Sequence, residues 1–341
     1  MEKYSNWRDP GTGIQPFLPP APVKIDRHIG QIVVACVRDY LFGPLIALAR
    51  IVLLIPVLVL LVSTRYISYL FVFHALKRLY QDWVTGGLIR LTLFLLGFHF
   101  IPFNVVSLKK GRQDPTASGS GQRQPDSIQS GDIIVANHTS YVDIIYLYGR
   151  FNPVFVQMKP LDTTTTTTSR DPTQVEHRFR RVSVYEALRG CGGCPAAASS
   201  SGTSLAALTR EARARRSGPV VVFIEGTTSN GRALLKPMDV FRVQADVDRE
   251  SRIHLLLLKY TTSYPSPVFP VGNKLAHCFK MCCQAETPKL ADQDLPSQPK
   301  SALPVDNLNS QLTQLLANLG RLRATKQGYQ EKQKFLAYYY R

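Results

Sequence analysis

The sequence predicts an α/β fold, a mixed twisted sheet flanked by helices and preceded by N-terminal membrane-embedded helices. Two observations carry this. From Leu41 to Val62 the chain is apolar with a single charge, Arg50, and that run is long enough for the ~20 residues a spanning helix needs. Downstream, short β-branched runs such as Pro219 to Ile224 alternate with helical patterns such as Ser204 to Arg216, the order that builds a sheet with helices on its faces.

Composition agrees with that class. A chain of 341 residues with 45% hydrophobic content can bury a core, so whole-chain disorder is excluded. A formal charge of +17 calls for an anionic partner: nucleic acid, an acidic membrane surface or a phosphate-bearing substrate. Zinc-finger spacing and the aromatic-basic signature of RNA-binding modules are missing, and the apolar residues crowd the N-terminal part, so the reading is membrane lipids and no nucleic acid. The six cysteines, Cys36, Cys191, Cys194, Cys278, Cys282 and Cys283, follow no disulfide framework and suit a reducing, cytosol-facing location. Cys191-Gly-Gly-Cys194 has no second ligand set, so no metal site is expected.

In chain order, residues 1–40 form an N-terminal cytosolic arm, extended and rich in Pro and Gly over Met1 to Pro22. Residues 41–108 hold the membrane helices. Pro44 and Pro56 are expected to kink or break the first, and Arg50 is costly at mid-bilayer unless paired. Gly86 to Val106 carries Arg90, His99 and Asn104 and reads as half-submerged; between the two, Tyr66 to Leu76 reads as an interfacial helix. Residues 109–131 are a flexible linker. The α/β domain covers 132–290, with strands over Asp132 to Ala136, Pro219 to Ile224, Ile253 to Leu258 and Val268 to Val271, and a helix from Val142 to Tyr148. Thr163 to Thr168 and Gly190 to Thr203 read as surface insertions. Residues 291–341 form an amphipathic tail with helical patches at Leu308 to Leu322 and Gln330 to Tyr340, docked on the domain or on the bilayer.

Chemistry is concentrated in two segments. In Asn137-His138-Thr139-Ser140-Tyr141-Val142-Asp143, a histidine and an aspartate follow a strand. An imidazole takes a hydroxyl proton near neutral pH, and a carboxylate on its other nitrogen sets the tautomer. Residues five apart in a helix diverge by ~140°, so the pair meets only if His138 precedes the helix, with Thr139 or Ser140 as N-cap. The bland alternative is a capped helix with an incidental histidine. The second segment, Phe223-Ile224-Glu225-Gly226-Thr227-Thr228-Ser229-Asn230-Gly231-Arg232, leaves a strand for a turn of small polar residues, whose N–H groups and hydroxyls can cradle a phosphate with Arg232 as a clamp. No Gly-x-Ser-x-Gly elbow and no Walker loop is present, which disfavours a serine hydrolase and a nucleotide hydrolase.

Together the two segments resemble the glycerolipid acyltransferases, whose signature is His-x4-Asp followed by a Phe-Pro-Glu-Gly-Thr-Arg-Ser-like block. The opening Tyr4-Ser-Asn-Trp-Arg-Asp-Pro-Gly-Thr-Gly-Ile14 and Pro16-Phe-Leu-Pro19 is similar to the fungal lysophosphatidic acid:oleoyl-CoA acyltransferases within that family. The resemblance implies a membrane-bound acyl-CoA-dependent enzyme that acylates the sn-2 hydroxyl of lysophosphatidic acid to give phosphatidic acid. His138 is then the general base and Asp143 its orienter, with no acyl-enzyme and no cofactor beyond acyl-CoA as co-substrate. Glu225, Gly226, Thr227, Thr228 and Arg232 bind the lysophospholipid. It also implies an endoplasmic reticulum membrane or lipid droplet address with the catalytic domain facing the cytosol. Ile224 stands where the family has proline and Thr228 where many members have arginine; Arg232 and Lys236 are the candidates to replace that cation. Arg178, Arg180 and Arg181 are candidates for the family's intermediate arginine motif, and Arg210, Arg213, Arg215 and Arg216 for CoA phosphates or acidic lipids, with a solvated basic face as the alternative in both cases. The alternatives in function are acylation of another lysophospholipid, transacylation, and a catalytically silent lipid-binding scaffold.

Overall fold

The computed structural model describes residues 3–21, 30, 37–68, 71, 79–99, 101, 103–105, 128–158, 179–194, 202–241, 248, 250–260, 265–284, 290–298 and 308–341. The Thr163 to Thr168 run, Arg178 and most of the 109–131 linker lie outside them.

A seven-stranded sheet runs in the order β1 (Phe103–Val105), β8 (Leu290–Gln298), β7 (Ile253–Tyr260), β2 (Ile133–Ala136), β5 (Val220–Phe223), β3 (Val154–Met158), β4 (Phe179–Val182). Its centre is parallel: β2 pairs with β5 and β7, and β5 with β3. β4 joins β3 and β8 joins β7 antiparallel, and the edge strand β1 runs parallel to β8, so the sheet is mixed. Every residue of β2 is buried, which is why its sequence is uniformly apolar rather than alternating. A small parallel pair joins β6 (Ala233–Leu234) to β9 (Arg323–Ala324).

Helices cover both faces. Ile134 and Ala136 pack on one side with α1 (Gly43–Ile67), α2 (Gly86–Leu95), α3 (Tyr141–Phe151) and α6 (Lys274–Cys282), through Ala47, Leu93, Leu147 and Met281. Ile133 and Val135 pack on the other with α5 (Leu205–Ala214) and α7 (Leu308–Gly320), through Leu208, Leu312 and Leu316. The alternation along β2 thus sends successive side chains to opposite layers. Among the described residues the remaining α-helices are α4 (Val184–Gly190) and α8 (Tyr329–Tyr339).

The membrane-type helix runs unbroken through Pro56. Pro44 does not interrupt it because it sits in the first turn, where the missing N–H has no helical partner to lose. Tyr40–Thr64 is long and apolar enough to cross a membrane, with Leu45, Leu48, Val59 and Val62 exposed and Ala47 and Val57 turned inward. Arg50 donates through Nη1 to the carbonyls of Cys282 and Gln284 at 3.0 and 2.7 Å. The cation therefore satisfies the negative C-terminal end of α6 rather than facing lipid alone.

Within the Gly86 to Val106 segment, α2 turns Ile89, Leu93 and Leu95 into the domain core and leaves Leu91 and Phe94 exposed. Two expectations change. Val268 to Val271 is no strand but a loop, since Pro267 and Pro270 flank Phe269 and offer no N–H to a ladder. The N-terminal arm is not extended from the body. Tyr4, Trp7 and Phe17 pack on Phe335 and Tyr339 of α8, and Asp9 accepts from Lys326 N–H at 3.0 Å, because three aromatics give this Pro/Gly-rich stretch an apolar face to bury.

Candidate active site

Adjacent parallel strands β2 and β5 end at the same edge of the sheet, where ligands of open α/β sheets lie beyond the strand carboxyl ends. Asn137 continues the ladder with its side chain: Nδ2 donates to Leu258 O at 2.9 Å and Oδ1 accepts from Leu258 N–H at 2.8 Å. The backbone is thereby free to leave the sheet. Ser140 caps α3 with extended backbone (φ −152°), and Asp143, three residues on, accepts in return from Ser140 N–H at 2.8 Å and Thr139 N–H at 2.7 Å, a capping box. His138 precedes the cap, so helical divergence does not apply, and its Nδ1 lies 3.3 Å from Asp143 Oδ2. Tyr260, at the end of β7, donates to the other carboxyl oxygen. Asp143 is fully buried, and these donors are what let it stay there as an acceptor.

The His138 ring stacks on Phe223 with centroids 4.2 Å apart. Its Nε2 lies 3.3 Å from Cys191 Sγ, so an incoming hydroxyl competes with that sulfur for the nitrogen. Burial works against the charged ring, but the Cys191 sulfur and the Asp143 carboxylate outweigh it and hold the imidazole above its ordinary 6.5. A base acts through its neutral form, which gains population as pH rises through a raised value. The rate of any reaction using His138 as base should therefore climb with pH along a limb lying above 6.5. A pH–rate profile already flat from pH 6 upward contradicts this.

The second segment folds as the strand-to-turn exit. Ser229 N–H donates to His138 O at 2.9 Å, tying the two motifs together. Gly226 has φ +66°, and a Cβ there would lie 2.0 Å from Met238 Sδ, so only glycine fits both the conformation and the space. Thr227 donates to Gly193 O at 3.0 Å, and Thr228 Oγ1 accepts from Gly192 N–H at 3.2 Å and donates to Pro270 O at 3.3 Å. Among the described residues no acceptor takes the backbone N–H of Thr227 or of Thr228; both are free to serve an anion.

Glu225 points beneath this turn instead of into the cleft. Its Oε1 accepts from Leu235 N–H at 3.3 Å, while Oε2 is buried without a hydrogen-bond partner. Burial pushes the carboxyl up to about 8 from an ordinary 4.5, so near neutral pH it is a protonated brace. The folded protein then holds a proton that the unfolded chain releases, and stability is lost as pH rises between these two values. Glu225→Gln, isosteric with the neutral acid, should remove that loss: its melting temperature relative to wild type rises from pH 5 to pH 8. A constant difference across that range contradicts the neutral carboxyl.

Between the motifs runs a cleft holding roughly 690 Å³ of space, partly open to solvent. One wall is apolar, built from Phe155, Val156, Met158, Val182, Val222 and Phe223; the other end is lined by Gly193, Gly226, Thr227 and Thr228, with His138 between. This arrangement fits a molecule with an apolar tail and an anionic head, placing the bond between them at the imidazole.

Of the residues expected from sequence, His138, Gly226, Thr227 and Thr228 line this cleft and Asp143 stands directly behind His138. Arg232 and Lys236 are exposed and off the lining. Arg180 is near it, donating to Gln157 and Glu186, both lining residues. Arg213 pairs with Asp248 and Glu250, and Arg215 with Glu211. Cys191 and Tyr260 had no sequence signal as site residues, because each reaches the pair only through tertiary contacts.

The acyltransferase family model matches residues 120–248. A protein of Schizosaccharomyces pombe (strain 972), provisionally named a lysophosphatidic acid:oleoyl-CoA acyltransferase, is 26% identical over 346 aligned positions that span 98% of this chain and 97% of its own length. The crystal structure of the 1-acyl-sn-glycerophosphate (LPA) acyltransferase PlsC from Thermotoga maritima overlaps 84% of this chain and 98% of its own, with a TM-score of 0.44 and 15% identity.

Proposed function

We propose that this chain, which matches the acyltransferase family model over residues 120–248, is a glycerolipid acyltransferase: a membrane-bound enzyme that moves a fatty acyl group from acyl-CoA to the sn-2 hydroxyl of lysophosphatidic acid. The observation that carries the reading is His138, held by Asp143 at 3.3 Å and placed between an apolar wall and two open backbone N–H groups. Nδ1–H donates to the carboxylate, which leaves Nε2 to take the proton of the acceptor hydroxyl. The hydroxyl oxygen attacks the thioester carbonyl directly as it loses that proton. The carbon–sulfur bond then breaks, and the CoA thiolate takes up the proton from the imidazolium, so no acyl-enzyme is formed. The acyl tail lies along Phe155, Val156 and Met158, and the phosphate meets Thr227 and Thr228.

Tyr40–Thr64 as a membrane anchor and the formal charge of +17 support work at an anionic lipid surface, where a juxtamembrane basic domain gains from lipid charge. The address that accords with this reading is the endoplasmic reticulum or a lipid droplet, the domain facing the cytosol. The test is acyl transfer by purified full-length protein in liposomes, with labelled oleoyl-CoA and a panel of acceptors: lysophosphatidate, lysophosphatidylcholine, lysophosphatidylethanolamine and monoacylglycerol. Lysophosphatidate should be the preferred acceptor. Preference for a zwitterionic acceptor moves the function to another lysophospholipid, and no transfer to any acceptor removes the enzyme reading in favour of a lipid-binding scaffold.

A further inference from the structure

Three segments remote in sequence meet behind the Gly226 to Asn230 turn. One is the N-terminal arm: Asn230 Nδ2 donates to Gln15 O at 2.8 Å and its N–H to Pro16 O at 2.8 Å. Another is the loop at Pro270. The third is α8, which brings Lys332. That lysine is 0% exposed; its Nζ donates to Pro270 O at 2.6 Å and lies 5.1 and 5.7 Å from the ring centroids of Phe17 and Phe335. Among the described residues no carboxylate pairs with it.

A buried ammonium without a counter-ion is costly, and packing alone favours an apolar side chain of similar length. Burial drives Lys332 down to about 7, against a weaker opposing pull from Cys194, so an anion brought nearby regains what burial loses. Its location indicates which anion. Pro270 O accepts from Lys332 Nζ and also from Thr228 Oγ1, so one carbonyl separates the ammonium from the turn that lines the cleft. The turn itself carries no cation: position 228 is threonine, and Arg232 and Lys236 are exposed off the lining.

We propose that Lys332 is the positioning cation for a phosphomonoester head group, supplying from α8, through the Pro270 and Thr228 layer, the positive charge that the phosphate turn lacks. This rests on the cleft being a lysophospholipid acceptor site. The C-terminal helix is then part of substrate recognition, and the N-terminal arm, through Phe17 and Asn230, holds both charge and turn in place. Acyl-CoA and uncharged acceptors gain nothing from the ammonium.

Full-length wild type, Lys332→Met and Lys332→Arg are compared in liposomes, reading KM separately for lysophosphatidate, monoacylglycerol and oleoyl-CoA. Lys332→Met should raise KM for lysophosphatidate about tenfold while KM for the other two stays within about twofold, and Lys332→Arg should restore most of the loss. Should Lys332→Met fail to fold, Lys332→Gln, which keeps a donor for Pro270 O without the charge, gives the same readout. Unchanged preference for lysophosphatidate over monoacylglycerol in a folded uncharged variant overturns the proposal. So does an equal loss towards both acceptors, which marks Lys332 as structural. Wild type that acylates no phosphate-bearing acceptor sinks the acceptor reading itself, and the role of Lys332 with it.

Discussion

Replacing His138 with alanine should lower acyl transfer about 10²- to 10⁴-fold, the range that general-base catalysis contributes, while the protein still folds and stays with membranes. The ring is a small part of the packing: it stacks on Phe223 and touches Cys191, but Asn137 holds the end of β2 and Asp143 keeps its backbone donors without it. The apolar helix Gly43–Ile67 supplies none of the hydrogen bonds that hold His138 and Asp143 among the described residues. Initial rates in liposomes, with melting curves and flotation as controls, check the expectation. Transfer by the purified variant at the wild-type rate contradicts it.

Asp143→Asn should be the second severe change, and unlike the first it should cost both rate and stability. One side chain holds the histidine, closes the capping box of Tyr141–Phe151 and receives the Tyr260 hydroxyl. An amide offers one acceptor where the carboxylate offers two, and its NH₂ faces groups that are donors already. Hydrogen bonds to a charged group are worth about 1.5–3 kcal/mol, so a loss of stability of about that size is expected, together with a fall in transfer of about 10²-fold or more as the imidazole loses its orienter. Ser140→Ala separates the effects. It removes the cap and the hydroxyl's bond to Pro267 O, costs about 1 kcal/mol for the cap and about 1–3 kcal/mol for the buried carbonyl left unpaired, and leaves the His138–Asp143 contact, so transfer should persist. A Ser140→Ala protein as inactive as Asp143→Asn assigns the loss to the helix end rather than to the imidazole.

How much of this was readable beforehand follows from where each signal resides. The strand, cap and carboxylate around His138 are local, within seven residues, and the periodicity and capping chemistry of that stretch determine their arrangement. The same holds for the turn after Phe223, where Gly226 marks a backbone needing a positive φ and the threonines supply hydroxyls. The central strands were readable because strands buried on both faces appear as continuous apolar runs. What sequence could not supply depends on contacts between remote segments. Tyr260 and Cys191 reach the pair across 117 and 53 positions, and nothing local distinguishes them from other tyrosines and cysteines. Arg232 drew attention by adjacency to the turn, yet its side chain faces solvent. Lys332 lies 104 positions beyond Thr228 in a helix whose polar composition suggests a surface element. The arm was misread because Pro and Gly content describes backbone preference and is silent about the three aromatics that fold it onto α8.

Asp143 is expected to act on acyl transfer through His138, and a double-mutant cycle is the decisive experiment. Rates are measured for wild type, His138→Ala, Asp143→Asn and the double variant, all as folded protein in the same vesicles. Residues that work as a unit are strongly non-additive, so the double variant should be no slower than His138→Ala alone, to within about threefold. If the two losses multiply instead, the carboxylate contributes independently of the imidazole and the pair is not one catalytic unit.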